Sequence, residues 1–160
     1  MTQPSTYTDA IESICGSESL QTAFRDYFTE LGVTVRNWDG LFREVNGSDS
    51  RFLVRRDAAG DVAGFVLFAR KEMTSGFFTA VLGCVEELYV RHALRGCGCG
   101  AALLAAAETE LRRMGCGLAI LTSDSAPAFY LRQGYAPAPA IAAKNGDPVF
   151  VKPLEPLAGM

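Results

Sequence analysis

The sequence predicts a single mixed α/β domain, and three observations carry that prediction. Short apolar runs bounded by turn residues read as strands, among them 51–56, 62–69 and 117–122. Apolar stripes at helical spacing read as helices, one over 20–31 and one after residue 100. Between the strand that ends at Val90 and the second of these helices lies a glycine-rich turn. A chain of 160 residues with 49% hydrophobic content is long enough for one well-buried domain and short for two. Repeats, low-complexity tracts and linkers are missing from the pattern, so the expected domain spans 1–160.

Residues 1–16 are polar and weakly patterned, with Ile11 and Ile14 marking at most one turn of a short helix. Leu20, Phe24, Phe28 and Leu31 recur at helical spacing, with Ser17 or Ser19 as N-cap and Gly32 as a stop. Trp38, Leu41 and Phe42 read as a loop or irregular turn before Asn46-Gly47-Ser48. Arg51 to Arg56 is a strand, Asp57 to Asp61 a hairpin turn, and Val62 to Ala69 a second strand. Phe65 to Phe68 are apolar on both faces, which predicts a central strand covered on each side. A polar bend at Met73 to Gly76 leads to the apolar stretch Phe77 to Val90. After the glycine turn, Leu103, Leu104, Ala107, Leu111 and Met114 form one stripe, with Glu108 and Arg112 expected to face each other on the opposite side. Gly115 ends that helix. Gly117 to Thr122 is a compact strand, and Ser125-Ala126-Pro127 starts a short helix carrying Phe129-Tyr130-Leu131 that Gly134 breaks. Tyr135 to Ala143 and Pro148 to Val151 read as a last hairpin turning at Lys144 to Asp147.

Composition excludes several functions. A net charge of −3 gives no electrostatic case for nucleic acid. No apolar run reaches the length of a membrane span and no basic n-region opens the chain, so a soluble cytoplasmic protein is expected. The five cysteines at 15, 84, 97, 99 and 116 form no Cys-x-x-Cys pair, and His92 is the single histidine, so neither a metal nor a disulfide framework is expected.

The chemistry concentrates in Arg95-Gly96-Cys97-Gly98-Cys99-Gly100. Alternate glycines call for a special backbone, and a glycine turn feeding a helix start points free N–H groups and the positive dipole end at phosphate. The turn lacks the Gly-Lys-Ser/Thr ending of a P-loop and the Gly-x-Gly-x-x-Gly spacing of a dinucleotide fingerprint. Downstream stands Ser123-x-x-Ala126-x-x-Phe129-Tyr130-x-x-x-Gly134-Tyr135. Arg-x-x-Gly-x-Gly after a strand, then a helix, a strand and this tyrosine-bearing helix, resembles the GNAT acyl-CoA N-acyltransferases. The match is strongest over 84–136 and fair over 51–70; the residues before 50 carry no such motif.

The resemblance implies a mostly antiparallel sheet of about six to seven strands with helices on both faces, a three-layer α/β/α arrangement. It implies acetyl-CoA as co-substrate, bound over 84–136, with 1–50 supplying acceptor-side helices. Backbone N–H groups of Gly96, Cys97, Gly98, Cys99 and Gly100 would hold the pyrophosphate with Arg95 adding charge, and the main chain of Leu88 and Val90 would pair with the pantetheine. Ser123 stands where the family has Asn, and as a CoA-binding residue it would make a weaker side-chain contact while still able to accept a hydrogen bond. Glu86 occupies the base slot of polyamine-acetylating members, four residues before Val90; other members place the base where this chain has Cys84. A strand-end carboxylate paired with an arginine is the alternative reading of Glu86. Tyr130 matches the tyrosine that protonates the departing thiolate. Phe77, Phe78, Trp38 and Phe42 flank the acceptor regions, although most such rings are core. Acetyl transfer to a primary amine, of a small molecule or else of a protein, follows from the resemblance, with a non-catalytic acyl-CoA-binding module as the other class. Monomer and homodimer both stay open.

Overall fold

The computed structural model describes residues 6–155, so the two ends of the expected 1–160 domain lie outside the described residues. Its elements are β1 (Thr8–Glu12), α1 (Glu18–Leu31), α2 (Trp38–Asn46), β2 (Ser50–Arg56), β3 (Val62–Thr74), β4 (Thr79–Val90), α3 (Cys99–Arg113), β5 (Leu118–Thr122), α4 (Pro127–Arg132), β6 (Ala136–Pro137) and β7 (Val149–Pro153). Single 3-10 turns cover Ile14–Gly16 and His92–Leu94. The strands form one seven-stranded sheet in the order β1-β2-β3-β4-β5-β7-β6. Pairing is antiparallel for β1 with β2, β5 with β7 and β6 with β7, and parallel for β4 with β5. This is the mixed α/β fold that the sequence predicts. Among the described residues no helix is long and apolar enough to cross a membrane. The described residues form two compact units, one holding 6–67 and Glu87–Ala106, the other holding Phe68–Glu86 and 107–155.

In the first unit α1 begins where Ser17 Oγ accepts from Leu20 N at 3.3 Å, and it ends at Gly32, whose φ of 73° suits a glycine stop. Leu20, Ala23 and Phe24 face inward. The Phe24 ring lies 5.4 Å from Phe52 and 5.7 Å from Phe65, both edge-on, the geometry that ring quadrupoles favour. Two expectations are corrected here. Residues 38–46 are not an irregular turn: Asn37 caps a helix through Gly40 N at 3.0 Å, and Trp38, Leu41, Phe42 and Val45 follow one helical stripe onto the same core. The segment around Ile11 is not a helical turn but β1, an edge strand with Thr8, Asp9, Ala10 and Ile11 all exposed. Arginines of β2 hold it in register. Arg55 Nε meets Asp9 Oδ1 at 3.0 Å, and Arg56 forks onto Glu12 at 2.8 and 2.9 Å. Val62 to Ala69 are all buried, as a central strand requires. Phe65 and Leu67 join the α1 and α2 core, whereas a Cβ built on Gly64 points at Leu103 of α3, so helices cover both faces of β3 here.

In the second unit β4 and β5 run parallel with Leu82 opposite Leu118. Leu111 of α3 lies so close to Gly83 that an added Cβ would sit 2.6 Å from its Cδ1. Gly115, with φ of 85°, ends α3. The last hairpin forms, but β6 keeps only Ala136 and Pro137 opposite Val151 and Phe150. Two further expectations are corrected. Glu108 does not face solvent beside Arg112: it is 4% exposed and is gripped by Lys152. Phe77 and Phe78 are not core but 100% and 64% exposed, in a turn whose Ser75 Oγ accepts from both of their N–H groups.

Candidate functional site

The glycine turn of the first unit has the backbone that its sequence calls for. Gly96 and Gly98 have φ of 80° and 83°, the left-handed region that side chains resist. A Cβ at either position would meet no atom within 4 Å, so the demand for glycine there is conformational, not steric. Gly98 O accepts from Ala102 N at 3.1 Å, which opens α3 at Cys99. The N–H groups of Cys99, Gly100 and Ala101 therefore have no intrahelical acceptor and sit at the positive end of a helix of 15 residues. Residues 95–98 are exposed, while the Cys99 side chain is buried beneath them. Exposed donors of this kind at the positive end of a helix are chemically suited to an anion such as a phosphate.

Arg95 does not extend freely into solvent. Its Nε donates to Val90 O at 2.9 Å, its Nη2 pairs with Glu30, and its guanidinium lies 5.8 Å from the Tyr89 ring centroid. Three contacts thus brace a positive charge beside the end of β4. Arg91 pairs with Asp57 at 3.6 Å, and its N–H donates to Ala63 O at 2.8 Å. His92 is exposed in the short turn between strand and loop. Glu87 accepts from the Tyr27 hydroxyl of α1, and Tyr27 and Tyr89 lie within the aromatic cluster around Phe65. The Tyr89 phenol is raised above its ordinary value, first by burial and then by Glu30 and Asp26. Leu88 and Val90 are half-buried on the alternate face. A cleft of about 290 Å³ opens between α1 and the end of β4, lined among others by Thr22, Asp26, Asp61, Tyr89 and Arg91.

The second unit holds the remaining predicted residues. Glu86 is exposed on β4. Cys84 is half-buried, and its thiol is raised by burial and then by the Glu86 charge, which keeps it a poor nucleophile at neutral pH. Ser123 is 9% exposed at the end of β5. Its Oγ accepts from Ala126 N at 3.2 Å, so this hydroxyl shapes the turn into α4. Tyr130 lies half-buried on α4, its ring 5.0 Å from Phe129 and 5.9 Å from Tyr135, both edge-on. Beneath it is a polar cluster that the sequence reading missed. Tyr135 donates to Glu108 Oε2 at 3.0 Å, and Lys152 Nζ meets Glu108 Oε1 at 2.7 Å and Gln133 O at 2.9 Å. Burial, then the Glu108 charge, pushes the Tyr135 phenol far above its ordinary value. One signal was available: Glu108 falls four residues after Leu104 and three before Leu111, on the apolar stripe itself.

A strand ending in a positive-φ glycine turn that feeds a helix N-terminus, inside this mixed sheet, defines the class as an α/β domain with a glycine turn at a helix start. The particular family follows from comparison: the chain belongs to the GNAT acetyltransferases, since the model of the acetyltransferase (GNAT) domain matches residues 48–137. Solved structures agree on the fold. A GNAT-family N-acetyltransferase (YhbS) from Escherichia coli, determined in complex with CoA, superposes with a TM-score of 0.72 at 18% identity, covering 96% of this chain and 84% of that one. A GNAT-family acetyltransferase from Staphylococcus aureus gives 0.69 at 13% identity, covering 94% of this chain and 100% of its own. One from Desulfovibrio desulfuricans gives 0.69 at 20% identity, covering 95% and 100%. No curated protein matches significantly. Membership supports acyl-CoA-dependent acyl transfer as the class of chemistry.

Proposed function

We propose that the protein is an acetyl-CoA-dependent N-acetyltransferase that acts on a primary amine of a small molecule by direct attack in a ternary complex. The observation that carries this reading is the glycine turn: Gly96 and Gly98 at positive φ, opening directly into α3 through Gly98 O. Each charge-assisted hydrogen bond to an anion contributes roughly 1.5–3 kcal/mol net. Several of them from residues 96–100, with the braced charge of Arg95, suffice for about −8 kcal/mol, a micromolar ligand. The main chain of Leu88 and Val90 pairs with the pantetheine arm, and Ser123 supports the turn into α4. Acetyl-CoA supplies the activated thioester.

The acceptor amine reaches the enzyme as an ammonium. With a pKa of about 10.4, only about one molecule in 2,500 is neutral at pH 7, which costs roughly 4–5 kcal/mol of barrier unless a base intervenes. Glu86, exposed on β4, takes that proton directly or through water. The freed nitrogen attacks the thioester carbonyl, the C–N bond forms and the C–S bond breaks. Tyr130 gives its proton to the departing sulfur, and the second proton that the nitrogen loses as the amide forms returns, through water, to the Tyr130 phenolate. From a phenol of pKa about 10 to a thiol of about 8.5 that transfer is uphill by roughly 2 kcal/mol, so low local polarity or a strong hydrogen bond to sulfur must assist it. The raised thiol of Cys84 favours direct attack over an acyl-enzyme.

The test is calorimetric titration with acetyl-CoA, using CoA and NADH as controls, followed by thiol release with a panel of primary amines. Micromolar binding of acetyl-CoA and amine-dependent thiol release are expected. Absence of binding at millimolar acetyl-CoA would overturn the reading.

A further inference from the structure

Helix α4 has only six residues, fewer than an isolated helix needs to hold its own geometry. Its orientation therefore depends on what grips its two ends: Ser123 Oγ holds Ala126 N before the helix, and a buried cluster holds its C-terminal turn. Two backbone donors, Gln133 N and Tyr135 N, converge on Tyr130 O at 3.0 Å each. Gln133 O, one residue past the helix, accepts from Lys152 Nζ at 2.9 Å. Tyr135, whose ring meets the Tyr130 ring edge-on, is tied through its hydroxyl to Glu108. Lys152 and Glu108 are themselves an ion pair at 2.7 Å, with the Glu108 side chain 5% exposed. The same ammonium lies 5.7 Å from the Tyr135 ring centroid, and a Cβ on Gly134 would meet Lys152 Cε at 3.3 Å. One buried pair thus holds both the backbone after Tyr130 and the ring beside it.

The geometry points to Glu108 and Lys152 as positioning residues that set the Tyr130 hydroxyl through Gln133 and Tyr135. This rests on the proposed role of Tyr130. A buried carboxylate could equally have been replaced by an apolar residue, since apolar substitutes for buried ion pairs are often neutral or stabilising. An apolar substitute at 108 or 152 could not hold Gln133 O or the Tyr135 hydroxyl. The pair thus fixes Gln133 O and the Tyr135 hydroxyl where an apolar pair would not.

The test uses the full chain carrying Glu108→Gln with Lys152→Met, which keeps an acceptor for Tyr135 and removes the ammonium from Gln133 O. Thiol release from acetyl-CoA in the presence of the amine panel is measured with Tyr130 intact and in a Tyr130→Phe background. With Tyr130 intact, turnover falls at least about tenfold while the Kd for acetyl-CoA stays within about twofold, as expected for a misplaced catalytic group. In the Tyr130→Phe background the same pair of substitutions changes turnover by less than about twofold, because its target is gone. An equal fall in both backgrounds overturns the proposal and makes the pair purely structural. A second readout needs no turnover. In protein labelled with ¹³C-tyrosine, the Tyr130 ring signal shifts or broadens in the double variant, and an unchanged signal overturns the proposal. Unchanged turnover in Tyr130→Phe alone refutes the catalytic role of Tyr130 itself, and a Tyr130 signal that still moves then reduces the pair to a structural grip.

Discussion

Gly64→Ala probes how the end of β4 and the start of α3 come together. A Cβ at this position would lie 2.4 Å from Tyr89 O, 3.0 Å from Leu103 Cδ1 and 3.2 Å from Val90 Cα. An ordinary carbon–oxygen contact is near 3.2–3.3 Å, so Tyr89 O must retreat by about 0.8 Å, and close-packed interiors absorb such displacements poorly. Two of the three atoms are backbone of a strand, and no rotamer change relieves them. Overpacking of this kind costs about 1–3 kcal/mol, and a backbone obstacle puts the cost at the upper end. For a chain of this size about 3 kcal/mol corresponds to a fall in Tm of roughly 6–12 °C. Urea unfolding followed by circular dichroism gives the free energy, and calorimetry with acetyl-CoA reads the effect on Leu88 to Val90. The expected result is that loss of stability together with weaker acetyl-CoA binding. A variant within about 0.5 kcal/mol of the parent, the range of an ordinary surface substitution, would refute the packing argument.

Four other outcomes are expected. Gly98→Ala meets no steric obstacle but must hold a φ of 83°; it loses only about 1–2 kcal/mol of stability, while acetyl-CoA binding weakens at least about tenfold because the N–H donors turn away. Calorimetry paired with urea unfolding checks this, and undiminished affinity would take the turn out of the site. Tyr135→Phe tests the raised phenol. Its folded-state pKa exceeds the unfolded value near 10, so its contribution is complete below about pH 10 and is lost above it at roughly 1.4 kcal/mol per pH unit. The variant is less stable than the parent at pH 7 by about 1–3 kcal/mol, the penalty of an unpaired buried acceptor, and the gap narrows above pH 10 in urea titrations; a constant gap would mean that the phenol is not shifted. Tyr130→Phe lowers turnover at least about tenfold with acetyl-CoA affinity unchanged, and Glu86→Gln depresses the rate most at low pH, both read by thiol release. A rate loss uniform in pH would send the base role elsewhere.

Most of the fold was legible because local patterns carry it. The cap at Ser17 and stop at Gly32, the hairpin at Asp57 to Asp61 and the proline start of α4 each depend on a few neighbouring residues, and the structure has them in place. Helix α2 was legible but missed: Trp38, Leu41, Phe42 and Val45 have helical spacing behind an Asn37 cap. Strand β1 was not legible, because its residues are exposed and no apolar alternation marks them. It exists because its backbone pairs with β2 over Thr8 to Glu12, where Asp9 and Glu12 also meet Arg55 and Arg56, pairings that chain order does not show.

The sequence by itself determined the chemistry-bearing turn. Glycine at 96 and 98 follows from backbone sterics within the turn, and because an added Cβ at either would meet no packed atom within 4 Å, tertiary packing adds nothing to that requirement. The same holds for the order of strand, turn, helix and tyrosine that carries the family. Only the tertiary structure decided what becomes of the charged side chains. It turned Arg95 back onto Val90 O and Glu30, put Glu87 under the Tyr27 hydroxyl and buried Glu108 between Tyr135 and Lys152. The physical reason is that a charge is free to lie on either side of an amphipathic element. What settles the matter is whether a partner from 27 or 44 residues away arrives to offset its desolvation, and that depends on the whole chain being folded.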